Sequence, residues 1–235
     1  MRGVRGIVGA LIAALIALGA TGVASAATLK ASYQLRGTLS SDVPGAPDLT
    51  SLGAGNSFIS EEIDGVSRQV LAFPKGNGLA LNTTGLVDPR SYSVVVLFRL
   101  AELGGYRRIL DFSDSTSDDG FYNFSGKAVI YGGGAASRGV VFGESYAQVT
   151  FTSTPAGGDS AAQRVVAYVD GSQAASATAP EGFQLAAGAL RLFQDNTSGP
   201  AGGEESAGAV ACVLVYDGAL SAAEVEQLAA EPTLC

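Results

Sequence analysis

The sequence predicts an all-β chain, a sandwich of two antiparallel sheets closed by one short C-terminal helix. Three observations carry this. Beyond residue 26, about a dozen short runs rich in β-branched and aromatic residues follow one another, separated by Gly, Pro, Asn, Asp and Ser. Asp64-Gly65 and Asp170-Gly171 each stand between two such runs and supply the positive φ angles of a two-residue hairpin. A helix signal stands only after Leu220, whereas a parallel sheet would need crossover helices between its strands.

Leu29, Ala31, Tyr33 and Leu35 alternate with polar neighbours and predict a first strand with one wet face. Residues 58–63 and 66–73 form a hairpin around Asp64-Gly65. Residues 92–100 are apolar at nearly every position, as in a central strand covered on both sides. Short strands follow at 107–112, 121–124 and 128–131, and Val149 and Phe151 alternate with Gln148, Thr150 and Thr152 in a half-buried pattern. Residues 165–169 lead through Asp170-Gly171 into a weaker strand ending near Ala177, and strands at 190–194 and 210–216 complete the set. Residues 44–55 and 154–161 read as loops within one domain, because strands continue on both sides.

In the closing helix, Ser221 caps the first turn, Glu224 reaches back to the cap's own amide, and Leu220 and Val225 form a hydrophobic staple. The helix should run from Ser221 to about Ala230 and stop before Pro232. Its length, about 15 Å, matches the roughly 13 Å from Cys212 to Tyr216 along a strand. A helix folding back beside its strand would bring Cys235 to Cys212, where a disulfide would contribute about 3 kcal/mol.

Arg2 and Arg5, the apolar run 7–18 and the small-residue exit Ala24-Ser25-Ala26 have the three-part build of a secretory signal peptide. The run is shorter than the ~20 residues that span a bilayer. The expected division is a leader over 1–26 and a secreted, extracellular domain over 27–235, with no membrane span after leader removal. An even cysteine count in an exported chain favours a disulfide.

Hydrophobic residues make up 47% of the chain and charged residues 15%, which argues against disorder. Losing Arg2 and Arg5 takes the net charge from −8 to −10, so nucleic acid is not an expected partner. The chain has no histidine, which removes Ser-His-Asp chemistry, imidazole metal sites and histidine bases.

The order of the pieces resembles the laminin-G-like branch of the concanavalin A-like jelly-roll family over most of the mature chain. Val70-Leu71-Ala72-Phe73 with Gly76-Asn77-Gly78-Leu79 looks like the family's early hairpin, and Ser91-Tyr92-Ser93-Val94-Val95-Val96 like its long central strand. Gly105-Tyr106-Arg107-Arg108-Ile109-Leu110 and Asp119-Gly120-Phe121-Tyr122 resemble the next two strands. Tyr168-Val169-Asp170-Gly171 matches the Tyr-x-Asp-Gly hairpin, and Tyr216-Asp217-Gly218-Ala219-Leu220-Ser221 matches the closing strand and capped helix. Where many relatives carry a Trp-His pair, this chain has Ser145-Tyr146-Ala147. The resemblance implies a two-sheet jelly-roll sandwich with one C-terminal helix. The family includes lectins, adhesion modules and glycan-cleaving enzymes, so fold alone does not decide between them.

Retaining glycosidases on this sandwich use Glu-x-Asp with a second Glu two or three residues on. Glu62-Ile63-Asp64 is followed by Gly65, Val66 and Ser67, so that second acid is missing. Spare carboxylates at Glu144, Glu181, Glu204 and Glu205 would revive a hydrolase only as a pair facing across a groove. Oxygen-rich residues from Asp111 to Asp119 suit a Ca²⁺ ion. By the resemblance, Asp119 and a second loop at Asp195-Asn196 would supply its ligands. Tyr106, Tyr122 and Tyr146 are candidate stacking residues for a sugar, with Arg107 as a donor to anionic groups. Three Asn-x-Ser/Thr sequons begin at Asn82, Asn123 and Asn196. The expected function is a secreted, non-catalytic module that binds a glycan or an extracellular protein ligand, with one structural calcium ion. The alternatives are a purely adhesive module and a glycan hydrolase.

Overall fold

Strands that are apolar on one or both faces have to be covered, and here two sheets and one helix cover them. The computed structural model describes residues 27–157, 161–179, 182–185, 188–195, 203–231 and 235; the leader, Glu181, Asn196 and Pro232 lie outside them. In chain order the strands are β1 (Thr28–Tyr33), β2 (Thr50–Leu52), β3 (Ser57–Ile63), β4 (Val66–Phe73), β5 (Gly78–Asn82), β6 (Tyr92–Leu100), β7 (Tyr106–Asp111) and β8 (Gly120–Phe124). They continue as β9 (Lys127–Tyr131), β10 (Ala135–Ala136), β11 (Ala147–Pro155), β12 (Gln163–Val169), β13 (Ser172–Ala179), β14 (Ala189–Leu192) and β15 (Gly208–Asp217), followed by helix α1 (Ala222–Ala230).

The larger sheet runs β13-β12-β11-β6-β15-β4-β3, with β1 also on β15, and the smaller runs β10-β9-β8-β7-β14-β5-β2. Every pairing is antiparallel, as the absence of crossover helices predicts. Strand β15 pairs β6 along its whole length and divides its other edge between β4 and β1. Both Asp-Gly hairpins form as expected, with φ of 51° and 78° at Asp64-Gly65 and 48° and 79° at Asp170-Gly171.

Val94, Val96, Phe151 and Val213 of the larger sheet meet Phe121 and Ile130 of the smaller one in the main core. Each such side chain contributes about 1.5–3 kcal/mol by leaving water. Phe112 and Phe151 pack at 4.8 Å between ring centroids, and the Tyr92 hydroxyl donates to the Phe183 carbonyl at 2.7 Å.

The outer face of the larger sheet is apolar as well. Val95, Val166, Tyr168, Cys212 and Leu214 are buried there beneath Leu220 and Val225 of the helix segment. This is why the sequence of β6 alternates so little. The Ser221–Glu224 capping box is present, and Cys212 and Cys235 form a disulfide with Cα atoms 5.3 Å apart.

The structure departs from the sequence reading at a few places. The loop at 44–55 contains strand β2, which pairs β5 at a sheet edge. Thr150 and Thr152 are buried, because β11 lies between β6 and β12 rather than beside solvent. Asn123 is also buried; its side chain donates to the Leu103 carbonyl and accepts from the Gly126 amide, so this sequon offers no accessible amide.

Replacing Cys235 with Ser should lower unfolding stability by about 3 kcal/mol, as expected for cross-linking a loop of this size. The check is denaturant unfolding of the variant beside the parent, with and without reductant; the variant should be insensitive to the reductant.

Candidate ligand-binding site

Helix α1 covers only part of the larger sheet's outer face. Beside it, β15 presents Ala209 and Ala211, which pave a small cluster with Ile63 and Val70; Leu97 and Tyr146 pack against it. Next to this cluster, between the β3–β4 hairpin and the helix, lies a groove with a volume of about 630 Å³. Ile63, Val66, Leu97 and Ala229 give it apolar surface, and Arg68, Tyr146, Gln148 and Asp170 bring polar groups to it. A concave apolar site with a few convergent polar groups is the usual form of a small-ligand site.

One end of the groove is braced by an ion pair across the sheet. Arg99 of β6 reaches over β15 and β4 to Glu61 of β3, and its Nε donates to Glu61 Oε2 at 2.8 Å. The Tyr146 hydroxyl donates to the same oxygen at 2.9 Å, and the Arg99 guanidinium lies 6.0 Å from the Tyr146 ring centre. The Arg99 hydrogen bond holds the Glu61 carboxyl below the usual carboxylate range, against the opposing effect of burial. Burial and the bond to Glu61 raise the Tyr146 phenol. Glu61 is therefore a fixed anion that orients Tyr146.

Gln148 and Asp170 are tied through the main chain. Asp170 Oδ1 accepts from the Gln148 main-chain nitrogen at 2.8 Å, while Gln148 Oε1 accepts no hydrogen bond among the described residues. Arg68 Nη1 donates to a main-chain oxygen of Cys235, so the disulfide-held tail and β4 meet at the groove wall.

The other sequence candidates lie on the smaller sheet. Arg108 is fully buried at the centre of a polar cluster: Nε donates to the Tyr122 hydroxyl, Nη1 to Asp111 Oδ2, and Nη2 to the Ser117 carbonyl at 2.9 Å. The Asp195 carboxylate is 3.5 Å from Arg108 Nε, and both side chains are fully buried. Asp119 faces elsewhere, against Gly132 and Gly182, where an added Cβ would fall 1.9 Å and 2.2 Å from its carboxylate oxygens. Among the described residues no group of three or more acidic or cysteine side chains is placed to hold a metal ion. Asp195 is directed at the Arg108 guanidinium, and Asn196, the other residue of the expected calcium loop, lies outside the described residues.

Tyr122 is buried against Arg108, whose guanidinium lies 5.0 Å from its ring centre. Tyr106 is half-buried and packs on Phe124 at 4.3 Å and on Tyr131 at 5.7 Å. Arg107 pairs with Glu102 at 3.1 Å. The structure thus groups Tyr106, Arg107 and Tyr122 on one sheet and sets Tyr146 on the other. The groove residues Arg68, Gln148 and Asp170 were not singled out by sequence reasoning.

A family profile described as the concanavalin A-like lectin/glucanases superfamily matches residues 73–226. The chain belongs to this superfamily. Its fold is similar to domain 4 of AbnA, a GH43 extracellular arabinanase from Geobacillus stearothermophilus, solved in complex with arabinotriose. That similarity has a TM-score of 0.62 at 18% identity and covers 87% of this chain and 99% of that one. It is also similar to a structure titled for the dependence of botulinum neurotoxin type C cell entry on two ganglioside molecules. There the TM-score is 0.57 at 12% identity, over 88% of this chain and 51% of that one. The receptor-binding domain of botulinum neurotoxin type G gives 0.51 at 10% identity, over 86% and 51%. This superfamily member therefore spans about half the length of the neurotoxin chains. No curated protein matches the sequence.

Two outcomes follow from the Arg108 cluster. Replacing Arg108 with Met strands two buried carboxylates and should cost about 3–5 kcal/mol, read by chemical unfolding. Glu204 is raised above the usual carboxylate range, first by burial and then by Asp195 and Asp118, so its ionisation weakens the fold once pH exceeds both its unfolded and its folded value. Glu204→Gln should therefore be more stable than the parent near neutral pH, and the difference should vanish as pH falls below the ordinary carboxylate value; melting temperature against pH checks this.

Proposed function

We propose that the chain is an exported, non-catalytic module that binds a glycan in the groove between helix α1 and the β3–β4 hairpin. The observation that carries this reading is the groove itself, with apolar surface from Leu97 and Ile63 beside Tyr146, Gln148, Arg68 and Asp170. Sugars offer weakly apolar ring faces and a rim of hydroxyls, and this lining matches both. The Glu61–Arg99 brace holds Tyr146 in place before a ligand arrives, which lowers the entropy cost of binding. Gln148 Oε1, a buried acceptor with no hydrogen-bond partner among the described residues, is a group that a ligand hydroxyl would satisfy.

Similarity to an arabinanase domain crystallised with arabinotriose and to a ganglioside-associated neurotoxin chain supports a binding role on this fold. The leader read at 1–26 supports export. The two acids at the groove, Asp64 and Asp170, both sit in hairpin turns, and Asp170 holds the Gln148 amide. That local duty favours binding over hydrolysis.

A second reading, a module that meets another protein, draws on the smaller sheet. Phe124, Tyr131 and Val140 are exposed there by 39%, 42% and 69%.

Titration calorimetry against a panel of neutral and acidic oligosaccharides tests the first reading. At least one should bind, and Gln148→Ala and Tyr146→Ala should each weaken that binding by about tenfold or more, the loss expected for one good hydrogen bond or stacked ring. No reducing ends should be released on prolonged incubation. Binding that survives both substitutions, or absence of any glycan binding, overturns it.

A further inference from the structure

Of eight tyrosines and ten phenylalanines, only Phe124 and Tyr131 are exposed, by 39% and 42%, and both stand on the outer face of the smaller sheet. Pleat alternation sets them there, because Phe121 and Ile130, at odd spacing along the same strands, point the other way into the main core. Tyr106 joins them from β7, opposite Phe124 in the register. Its ring packs 4.3 Å from Phe124 and 5.7 Å from Tyr131, and both Tyr106 and Tyr131 rest 5.8 Å from Tyr122. Tyr122 is locked in turn: its hydroxyl accepts from Arg108 Nε and donates to the Asp118 carbonyl at 3.1 Å. The three outer rings are therefore held before any ligand arrives, so binding costs little side-chain freedom. Lys127, opposite Phe124 in the β8–β9 register, brings an ammonium group to the same face.

We infer that this face is a second glycan-binding site, a flat platform on which sugar rings stack, and that the module thereby bridges two polysaccharide chains. The exposed apolar area sets the size of the occupant. The three rings show roughly 200 Å² between them, whereas each partner in a standard protein interface gives up about 800 Å². Two or three sugar rings cover the smaller area, their apolar faces on the aromatic rings and their hydroxyl rim toward Lys127. The groove lies on the outer face of the larger sheet, so the two sites look away from each other across sheets packed about 10 Å apart. Two chains held by one module gain in avidity through effective concentration. The platform stands without the groove; bridging rests also on the glycan-binding reading of the groove.

Affinity electrophoresis through gels containing arabinan, β-1,4-galactan or xyloglucan tests the platform, and turbidity of solutions of the same polymers tests bridging. At least one polymer should retard the parent and turn turbid with it. Phe124→Ala and Tyr131→Ala, made together, should weaken retardation by about tenfold, the loss expected for two stacked rings, and should abolish turbidity. Tyr131→Ala alone, at an exposed ring, should weaken it a few-fold with an unchanged melting temperature. Gln148→Ala should abolish turbidity and leave the platform's share of the retardation. Unchanged retardation in the double variant, shown to be folded by its melting curve, overturns the platform and leaves the groove standing; so does loss of all retardation in Gln148→Ala. Loss in the double variant with no effect of Gln148→Ala or Tyr146→Ala supports the platform and removes the groove reading, and bridging with it. Retardation without turbidity overturns bridging. No retardation by any of these polymers, or a dimer of the parent in analytical ultracentrifugation that the double variant dissociates, overturns the platform.

Discussion

A β-sheet with apolar side chains on both faces cannot leave either face in water, and the larger sheet of this protein is such a sheet. Its inner face is covered by the smaller sheet. Its outer face is covered by nine residues of helix, placed by a cap at Ser221 and held by the link from Cys235 to Cys212. A helix of that length is marginal alone, so its position depends on the apolar cluster beneath it and on the disulfide at its far end. Beyond the part of the sheet that the helix covers lies the groove, between Ala229 of the helix and the β3–β4 hairpin.

The same sheet supplies rigidity and chemistry together. Arg99 crosses two strands to reach Glu61, over a sheet face where β15 carries Ala209 and Ala211 and β4 carries Val70. Arg68, opposite Glu61 in the β3–β4 register, turns instead to the main-chain oxygen of Cys235.

Buried charge is handled differently on the smaller sheet. Arg108, Asp111 and Asp195 exclude water entirely and hold the loop before β8 and the segment after β14 against β7. Such a cluster adds order to long loops and offers little to a ligand. The acidic run from Asp111 to Asp119 carries the composition of a calcium loop, but Arg108 answers its buried charge with a guanidinium. Composition could not distinguish these outcomes, because the deciding residue stands on the preceding strand and Asp195 arrives from far along the chain.

The sequence by itself determined the class of fold, both Asp-Gly hairpins, the capped helix and the cysteine pairing. Each rests on local chemistry: period-two alternation, positive φ at Asp-Gly, a Ser-x-x-Glu box and a helix as long as its neighbouring strand. Tertiary structure alone decided which faces were covered and which charges met. Thr150 reads as half-exposed until β11 is placed between two strands, and Tyr146 belongs to a site only once β3, β6 and the tail near Cys235 surround it. These are contacts between residues far apart in the chain, and alternation records that a side chain faces outward without recording what lies opposite.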